Sequence, residues 1–294
     1  MNLPVAFPAQ SRRRETRPNG QSTMRAAAIQ MNSGSDVTAN LALADSLLAE
    51  AAADGCVLAV LPENFALMPE RGTDKAKYAE QPGEGPIQSF LADAAQRHGL
   101  WVVAGSMPLV SPEIASERVY GACPVYDPDG EARALYRKIH LFDVDLVDEK
   151  ESYRESRSMY PGDDLVTVDS PCGRIGLSIC YDLRFPEMFR KLVDDGATIF
   201  TVPAAFTETT GKAHWHTLLR ARAIENLAYV IASGQYGRHP DSRSTFGHSL
   251  ICDPWGRILA ERAEGNGVVA ADIDPQLPIK LRSEFPALTN RRLR

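Results

Sequence analysis

The chain alternates two hydrophobic periods from Met24 onward. RAAAIQM is a short apolar run of strand length, and Val37 to Ala53 then carries apolar residues at helical spacing, stopping before Asp54-Gly55. CVLAVLPEN is the next strand and runs into Glu63. Pro86 to His98 is a second helix, with proline at its start and Gly99 as its C-terminal stop, and the strand LWVVAGSM follows. Strand and helix in alternation predict a layered α/β domain.

The second half repeats this order. ACPVYDPDGEARALYRK sets an Asp-Pro-Asp-Gly turn between two strand-like runs, and HSLICDPWGRILAER sets an Asp-Pro-Trp-Gly turn in the same context. Each hairpin is preceded by a helix and an apolar strand: Pro86 to His98 with LWVVAGSM, then His214 to Asn226 with AYVIASGQ. LAVL, WVVA, ATIFTV and AYVIA are apolar throughout, as strands covered on both faces are. Two half-sheets, each with helices on one face, would bury their other faces against each other in a four-layer α-β-β-α sandwich. The expected organisation is a loose tail over residues 1–23, one domain over 24–274, and a tail over 275–294 that loses periodicity and packs on something else, another subunit included.

Composition narrows the functional classes. A net charge of −6 gives no electrostatic reason for a nucleic-acid or anionic-membrane partner, and leaves small substrates, anionic ones included where positive charge is focused locally. No apolar run approaches the roughly 20 residues that span a bilayer. The five cysteines lack CxxC spacing and lie mostly in apolar contexts, which fits packed thiols in a reducing compartment and a cytoplasmic location. In the first 23 residues, Pro4, Pro8 and Pro18 work against the amphipathic helix that Arg12, Arg13, Arg14 and Arg17 would need as a mitochondrial presequence; a translation start at Met24 is the other reading.

Candidate chemistry gathers at three strand ends. In RIGLSICYDLRFPE an apolar strand ends at Cys180, and a helix can start at Pro186. A thiol at such a corner can face a cleft, and nearby backbone N–H groups can stabilise an oxyanion, although a lone cysteine there is ordinarily packing. Glu63 ends CVLAVLP and Lys138 ends ARALYR. Either alone reads as a solvated strand end. Together they supply a carboxylate to take the thiol proton and an ammonium to hold that carboxylate's charge and the tetrahedral oxyanion, with no metal and no cofactor required. A papain-like pairing of Cys180 with His140, His214 or His248 stays chemically open. His214 and His216 in AHWH lack a neighbouring carboxylate or cysteine set in the sequence, so no metal is expected. Arg220, Arg222 and Glu225 stand at helical spacings that favour local ion pairing.

LPENF around Glu63, YRKIHLFDV around Lys138 and ICYDLRFPE around Cys180 together resemble the Glu-Lys-Cys signature of the nitrilase superfamily, in the same order, over about Met24 to Asp274 and with the DPWG hairpin. The resemblance implies an α-β-β-α sandwich, with Glu63 as general base, Lys138 as oxyanion stabiliser, Cys180 as nucleophile, and the Tyr181 N–H as an oxyanion donor. It also implies an assisting glutamate at Glu155, which read alone is one more acid in an acidic loop. Tyr181-Asp182 stands where nitrilases carry Trp-Glu, which disfavours nitriles. FTETTGKAHWHTLLRARAIENLAYVIASGQYGRHPDSRSTFGHSLICDPWG is similar to the Nit branch, and GQYGRH with RSTFGHS resembles its deaminated-glutathione amidases more than its omega-amidases. The implied substrate is a small-molecule amide, bordered by Phe206, Thr207 and His214, and the implied assembly is a homodimer or larger homo-oligomer. Amine-acceptor acyl transfer and non-catalytic binding on the same fold are the rival functions.

Overall fold

Alternate residues of the first strand leave for different neighbours. In the computed structural model, which describes residues 23–110, 118–146 and 151–293, β1 (Met24–Gln30) sends Ala26 and Ala28 into a core shared with the second sheet, and Ala27 and Ile29 toward helices. The same division continues through α1 (Val37–Ala53), β2 (Cys56–Val60) and α2 (Pro86–His98), whose buried faces (Ala44, Leu48 and Ala51 in α1; Ile87, Leu91 and Ala95 in α2) meet Ala59 and Val102. Period-2 strands sandwiched between period-3.6 helices and another sheet must be apolar on both faces, as these are. Both helices span the residues that the pattern predicts. Asp36 caps α1 by accepting from the Ala39 amide, and Gly99 ends α2 in the left-handed conformation.

The expected single strand LWVVAGSM is broken into β3 (Trp101–Val103) and β4 (Met107–Leu109), which pair with successive stretches of β5 (Val119–Tyr126). The break has a use. Gly105 sits at φ +65°, where a Cβ would lie 2.0 Å from the Pro62 carbonyl oxygen, and Ser106 Oγ accepts from the Asn64 amide at 2.9 Å. The loop that carries Glu63 rests on this interruption. β6 (Ala132–Arg137) completes the hairpin with β5, and the hairpin β7 (Asp143–Leu146) with β8 (Glu151–Arg154) leads to the short β9 (Met159–Tyr160).

The second sheet is built from β10 (Thr167–Ser170), β11 (Gly173–Leu177), α3 (Pro186–Asp194), β12 (Ile199–Ala204), α4 (Glu208–Asn226) and β13 (Tyr229–Gly234), then the small hairpin β14 (Tyr236–Arg238) with β15 (Ser244–Phe246), then β16 (Ser249–Cys252) and β17 (Ile258–Arg262). β18 (Gly267–Ile273) returns to the first sheet beside β1. The halves repeat strand for strand: β1, β2 and β3 run parallel and are followed by the antiparallel β5 and β6, as β11, β12 and β13 are by β16 and β17. The two turns repeat atom for atom. Asp127 Oδ1 accepts from Asp129 and Glu131 amides, and Asp253 Oδ1 from Trp255 and Arg257 amides, with Gly130 and Gly256 at φ +81° and +78°.

The halves face each other through β1, β2 and β13, and Ser233 Oγ stitches them by accepting from the Ile29 amide and donating to the Val60 carbonyl. This is the α-β-β-α sandwich. Two boundaries differ from the pattern reading. α4 begins at Glu208, ahead of His214, because GKAH offers no apolar stripe, and beyond Asp274 a helix α5 (Leu277–Glu284) forms with Pro278 as its one buried residue. A helix that buries so little leaves no period to read. Arg282 fastens it to its own chain, donating to the Ala197 and Asn226 carbonyls at 2.7 and 3.0 Å. The expectation for residues 1–22 lies outside the described residues, among which no helix is long and apolar enough to cross a membrane.

Replacing Gly105 by alanine should cost about 2 to 4 kcal/mol, since it combines left-handed strain with a backbone clash. Urea denaturation measures it, and a loss under about 0.5 kcal/mol, the ordinary surface range, would show that the Glu63 loop does not depend on this contact.

Candidate active site

Glu63, Lys138 and Cys180 leave three different strands and meet between the two sheets, exposed by only 4%, 2% and 8%. After β2 the Leu61 amide still bonds the Val103 carbonyl, so Pro62 and Glu63 turn away over a fixed base. Lys138 directly follows β6, and its own backbone is held on both sides, N–H to the Gly121 carbonyl and C=O from the Gly162 amide. Cys180 lies three residues past β11, at the first position of a tight 3₁₀ turn running to Arg184, with φ +47°. Left-handed backbone at a residue other than glycine is held only where its surroundings impose it.

Asp182 imposes it here. Its fully buried carboxylate accepts from the Ile179 amide and Tyr136 hydroxyl through Oδ2, and from the His140 amide and Nδ1 through Oδ1. Tyr136 and His140 flank Lys138, so one carboxylate locks the cysteine turn to the lysine segment. From the other side, Arg222 of α4 donates to the Leu183 carbonyl at 3.1 and 2.7 Å and pairs with Glu225.

The charges form one unit. Lys138 Nζ donates to Glu63 Oε1 at 2.8 Å and to both Glu155 oxygens at 2.8 and 3.0 Å, Glu63 Oε2 accepts from the Ala205 amide at 2.8 Å, and Glu155 Oε2 accepts from the Phe142 amide at 2.7 Å. Burial would raise the Glu63 carboxyl, but the Lys138 ammonium outweighs it and holds the acid below its ordinary range. Burial likewise opposes the Lys138 charge and is overcome by Glu155 and Glu63, which push this ammonium well above its ordinary value. Burial and the Glu63 charge push the Cys180 thiol up, against the pull of Lys138. The resting state is therefore a neutral thiol facing an ionised carboxylate. Such a pair can move the thiol proton to Glu63 as sulfur attacks a carbonyl, while Lys138 and the amide of Tyr181, at the start of the turn, offer charge and a donor to the oxyanion.

A cavity of about 230 Å³ opens over this unit. Tyr181, Phe206 and Thr207 line it, with Glu155; His214 does not, and reaches it only through Arg184, whose Nη1 lies 3.3 Å from His214 Nδ1. Phe206 and Thr207 are pinned at the rim because the Phe206 carbonyl accepts from the Phe246 amide and Thr207 immediately precedes α4 as its N-cap. Among the described residues no histidine lines the cavity: His140 is held on Asp182 and stacked on Phe185, and His248 lies against Glu261. His216 also meets Glu261, a carboxylate remote in sequence, so His216, His248 and Glu261 gather outside the cavity. The other four cysteines are buried thiols, each pushed up to about 12 by burial.

Sequence reasoning missed Asp182, Tyr136, Lys75 and Arg243. Asp182 had one legible signal, an acid two residues past a strand-end cysteine where a helical turn begins. Lys75 and Arg243 sit in loops without period. They matter to the field: among the described residues five cations (Lys75, Lys138, Arg154, Arg184, Arg243) line the cavity against three carboxylates (Glu63, Glu155, Asp241), although the chain carries −6 overall.

Lys138→Met should lose about 3 to 5 kcal/mol of stability, because two carboxylates remain buried without their cation, and turnover should fall below detection; folding checked by circular dichroism separates the two effects. Since the Glu63 value is depressed, its ionised form prevails above the ordinary 4.5, and both its stabilising contribution and its capacity as a base should be lost only as pH falls below that. A pH profile of kcat/KM whose acid limb lies above pH 6 would contradict this assignment.

The sequence from residue 25 to 282 matches the carbon-nitrogen hydrolase family model. A deaminated glutathione amidase of Yersinia enterocolitica is 40% identical over 90% of this chain and 92% of its own length. Omega-amidase NIT2 of Mus musculus is 37% identical over 92% and 96%. The crystal structure of Saccharomyces cerevisiae Nit3, a member of branch 10 of the nitrilase superfamily, superposes with a TM-score of 0.82 at 31% identity, covering 93% of this chain and 98% of that one. With its repeated half-sheets and buried Glu-Lys-Cys unit, this chain belongs to the carbon-nitrogen hydrolase family of the nitrilase superfamily and is a hydrolase that acts on amides.

Proposed function

We propose that the chain hydrolyses deaminated glutathione to 2-oxoglutarate and cysteinylglycine through a thioester on Cys180. The observation that carries this reading is the excess of positive charge in the cavity of an otherwise acidic chain, which suits an amide bearing carboxylates. Relatives of the same length named for that activity support it.

In the proposed reaction the Cys180 thiol gives its proton to Glu63 as sulfur bonds to the amide carbon. The tetrahedral oxyanion is met by Lys138 and the Tyr181 amide. Glu63 returns the proton to the departing amine of cysteinylglycine as the carbon–nitrogen bond breaks, leaving a 2-oxoglutaryl thioester. Water, deprotonated by Glu63, adds to that thioester and releases 2-oxoglutarate with the thiol restored. Glu155 keeps Lys138 charged and oriented throughout. Arg184 stands in the nucleophile's own turn, with its guanidinium 5.1 Å from the Phe206 ring and 5.9 Å from the Tyr181 ring. From there it can receive the carboxylate of a short acyl chain. That no histidine lines the cavity favours this scheme over a Cys-His pair.

Omega-amidase activity on 2-oxoglutaramate is the second reading, favoured by the similarity to NIT2. It shares every step and differs in the leaving group. Release of 2-oxoglutarate by purified protein, with Cys180→Ala as the blank, separates the two. The expected result is a kcat/KM for deaminated glutathione at least about tenfold above that for 2-oxoglutaramate, as differential binding of one charged group allows. The reverse preference makes the chain an omega-amidase, and turnover of neither removes both readings.

A further inference from the structure

We propose that Lys75 and Arg243 form a second carboxylate subsite in the cavity, one that takes the terminal carboxylate of the leaving dipeptide and so sets the enzyme's preference for a peptide amide over a simple one. This rests on the reading of the substrate as deaminated glutathione.

Lys75 lies in the 3₁₀ turn Gly72–Tyr78 between β2 and α2, and is 7% exposed. Lysine is seldom buried so far without an anionic partner. Its Nζ donates at 2.9 Å to Asn64 Oδ1, a neutral amide, while the nearby carboxylates Glu63 and Glu155 are both held by Lys138. Arg243 faces the same cavity from the segment before β15. Its Nη2 pairs with Asp241 at 2.8 Å, but its buried Nε has no hydrogen-bond partner among the described residues. A buried donor left unmet costs about 1 to 3 kcal/mol. The two cations also repel: burial, Arg243 and Lys138 together bring the Lys75 ammonium down to about 8 in spite of Glu155 and Glu63.

A buried ammonium met only by a neutral amide, an unmet guanidinium donor and the repulsion between the two cations are costs that an anion bound in this cavity would offset. A carboxylate there would accept from the Lys75 ammonium and the Arg243 guanidinium and relieve their repulsion. The substrate has two carboxylates. The 2-oxoglutaryl one stays on a short chain tethered to Cys180, where Arg184 stands in the same turn; Arg154 is held by both oxygens of Asp145, which leaves Lys75 and Arg243 for the glycine carboxylate of the leaving group. 2-Oxoglutaramate has no such group.

Binding to Cys180→Ala protein tests this without turnover, by calorimetry with deaminated glutathione and with its analogue carrying a C-terminal glycinamide. The expected preference for the acid is about tenfold or more, erased by Lys75→Met or Arg243→Gln and restored in part by Lys75→Arg. It should also shrink above about pH 8, where Lys75 loses its charge. In protein with Cys180 intact, the same variants should lower the ratio of kcat/KM for deaminated glutathione over 2-oxoglutaramate about tenfold, chiefly through KM. Equal binding of acid and amide overturns the subsite while the substrate reading stands. Variants that depress both substrates alike also overturn it, since that is the result of Lys75 acting only through Asn64 on the Glu63 loop. Binding of neither ligand overturns the subsite and the substrate reading together.

Discussion

One ammonium group, Lys138 Nζ, is shared between two carboxylates in a space that water barely reaches. A single buried carboxylate would take up a proton, and a single buried ammonium would lose one. Placed together, with the Ala205 and Phe142 amides completing the carboxylates' hydrogen bonds, they keep Glu63 ionised beside a thiol that is itself held neutral. The proposed chemistry needs that distribution of one proton. The fold's task is to deliver three strand ends to one point and hold them there.

The four layers do so by repetition and by interruption. Two similar half-sheets face each other, which places the ends of β2, β6 and β11 around the same opening. The local breaks then aim the side chains: Gly105 interrupts a strand so that the Glu63 loop can rest on it, and Asp182 ties the left-handed Cys180 to Tyr136 and His140 on either side of Lys138. Three stability-costly features, a left-handed Cys180, an Asn64 also at positive φ and an unmet Arg243 donor, border the cavity, while others, the left-handed Leu227 and His248 among them, lie away from it.

How much of this the sequence discloses follows from which forces act locally. α1 and α2 were legible because helical spacing of apolar residues coincides with boundary signals: Asp54-Gly55 after α1, Pro86 and Gly99 at the ends of α2. The repeated Asp-Pro-X-Gly turns announced the two halves. α5 was not legible, since a helix that buries one proline has no apolar stripe, and the early start of α4 was hidden for the same reason. In the site, Glu63, Lys138 and Cys180 each end an apolar run and could be read as a set. Tyr136 meets Asp182 across 46 residues and Glu261 meets His216 across 45, separations that no local pattern encodes, and Lys75 and Arg243 belong to segments without an apolar period. His214, which the AHWH stretch brings to attention, stands behind Arg184 instead of on the cavity wall.

In the proposed reaction Cys180 carries the acyl group. Rapid quenching of the enzyme during turnover of deaminated glutathione, followed by intact-mass and peptide mass spectrometry, tests it most directly. The expected result is a transient gain of one 2-oxoglutaryl group, confined to the peptide containing Cys180 and removed by hydroxylamine. Product formation with no adduct at any quench time, or an adduct on a different residue, would contradict it.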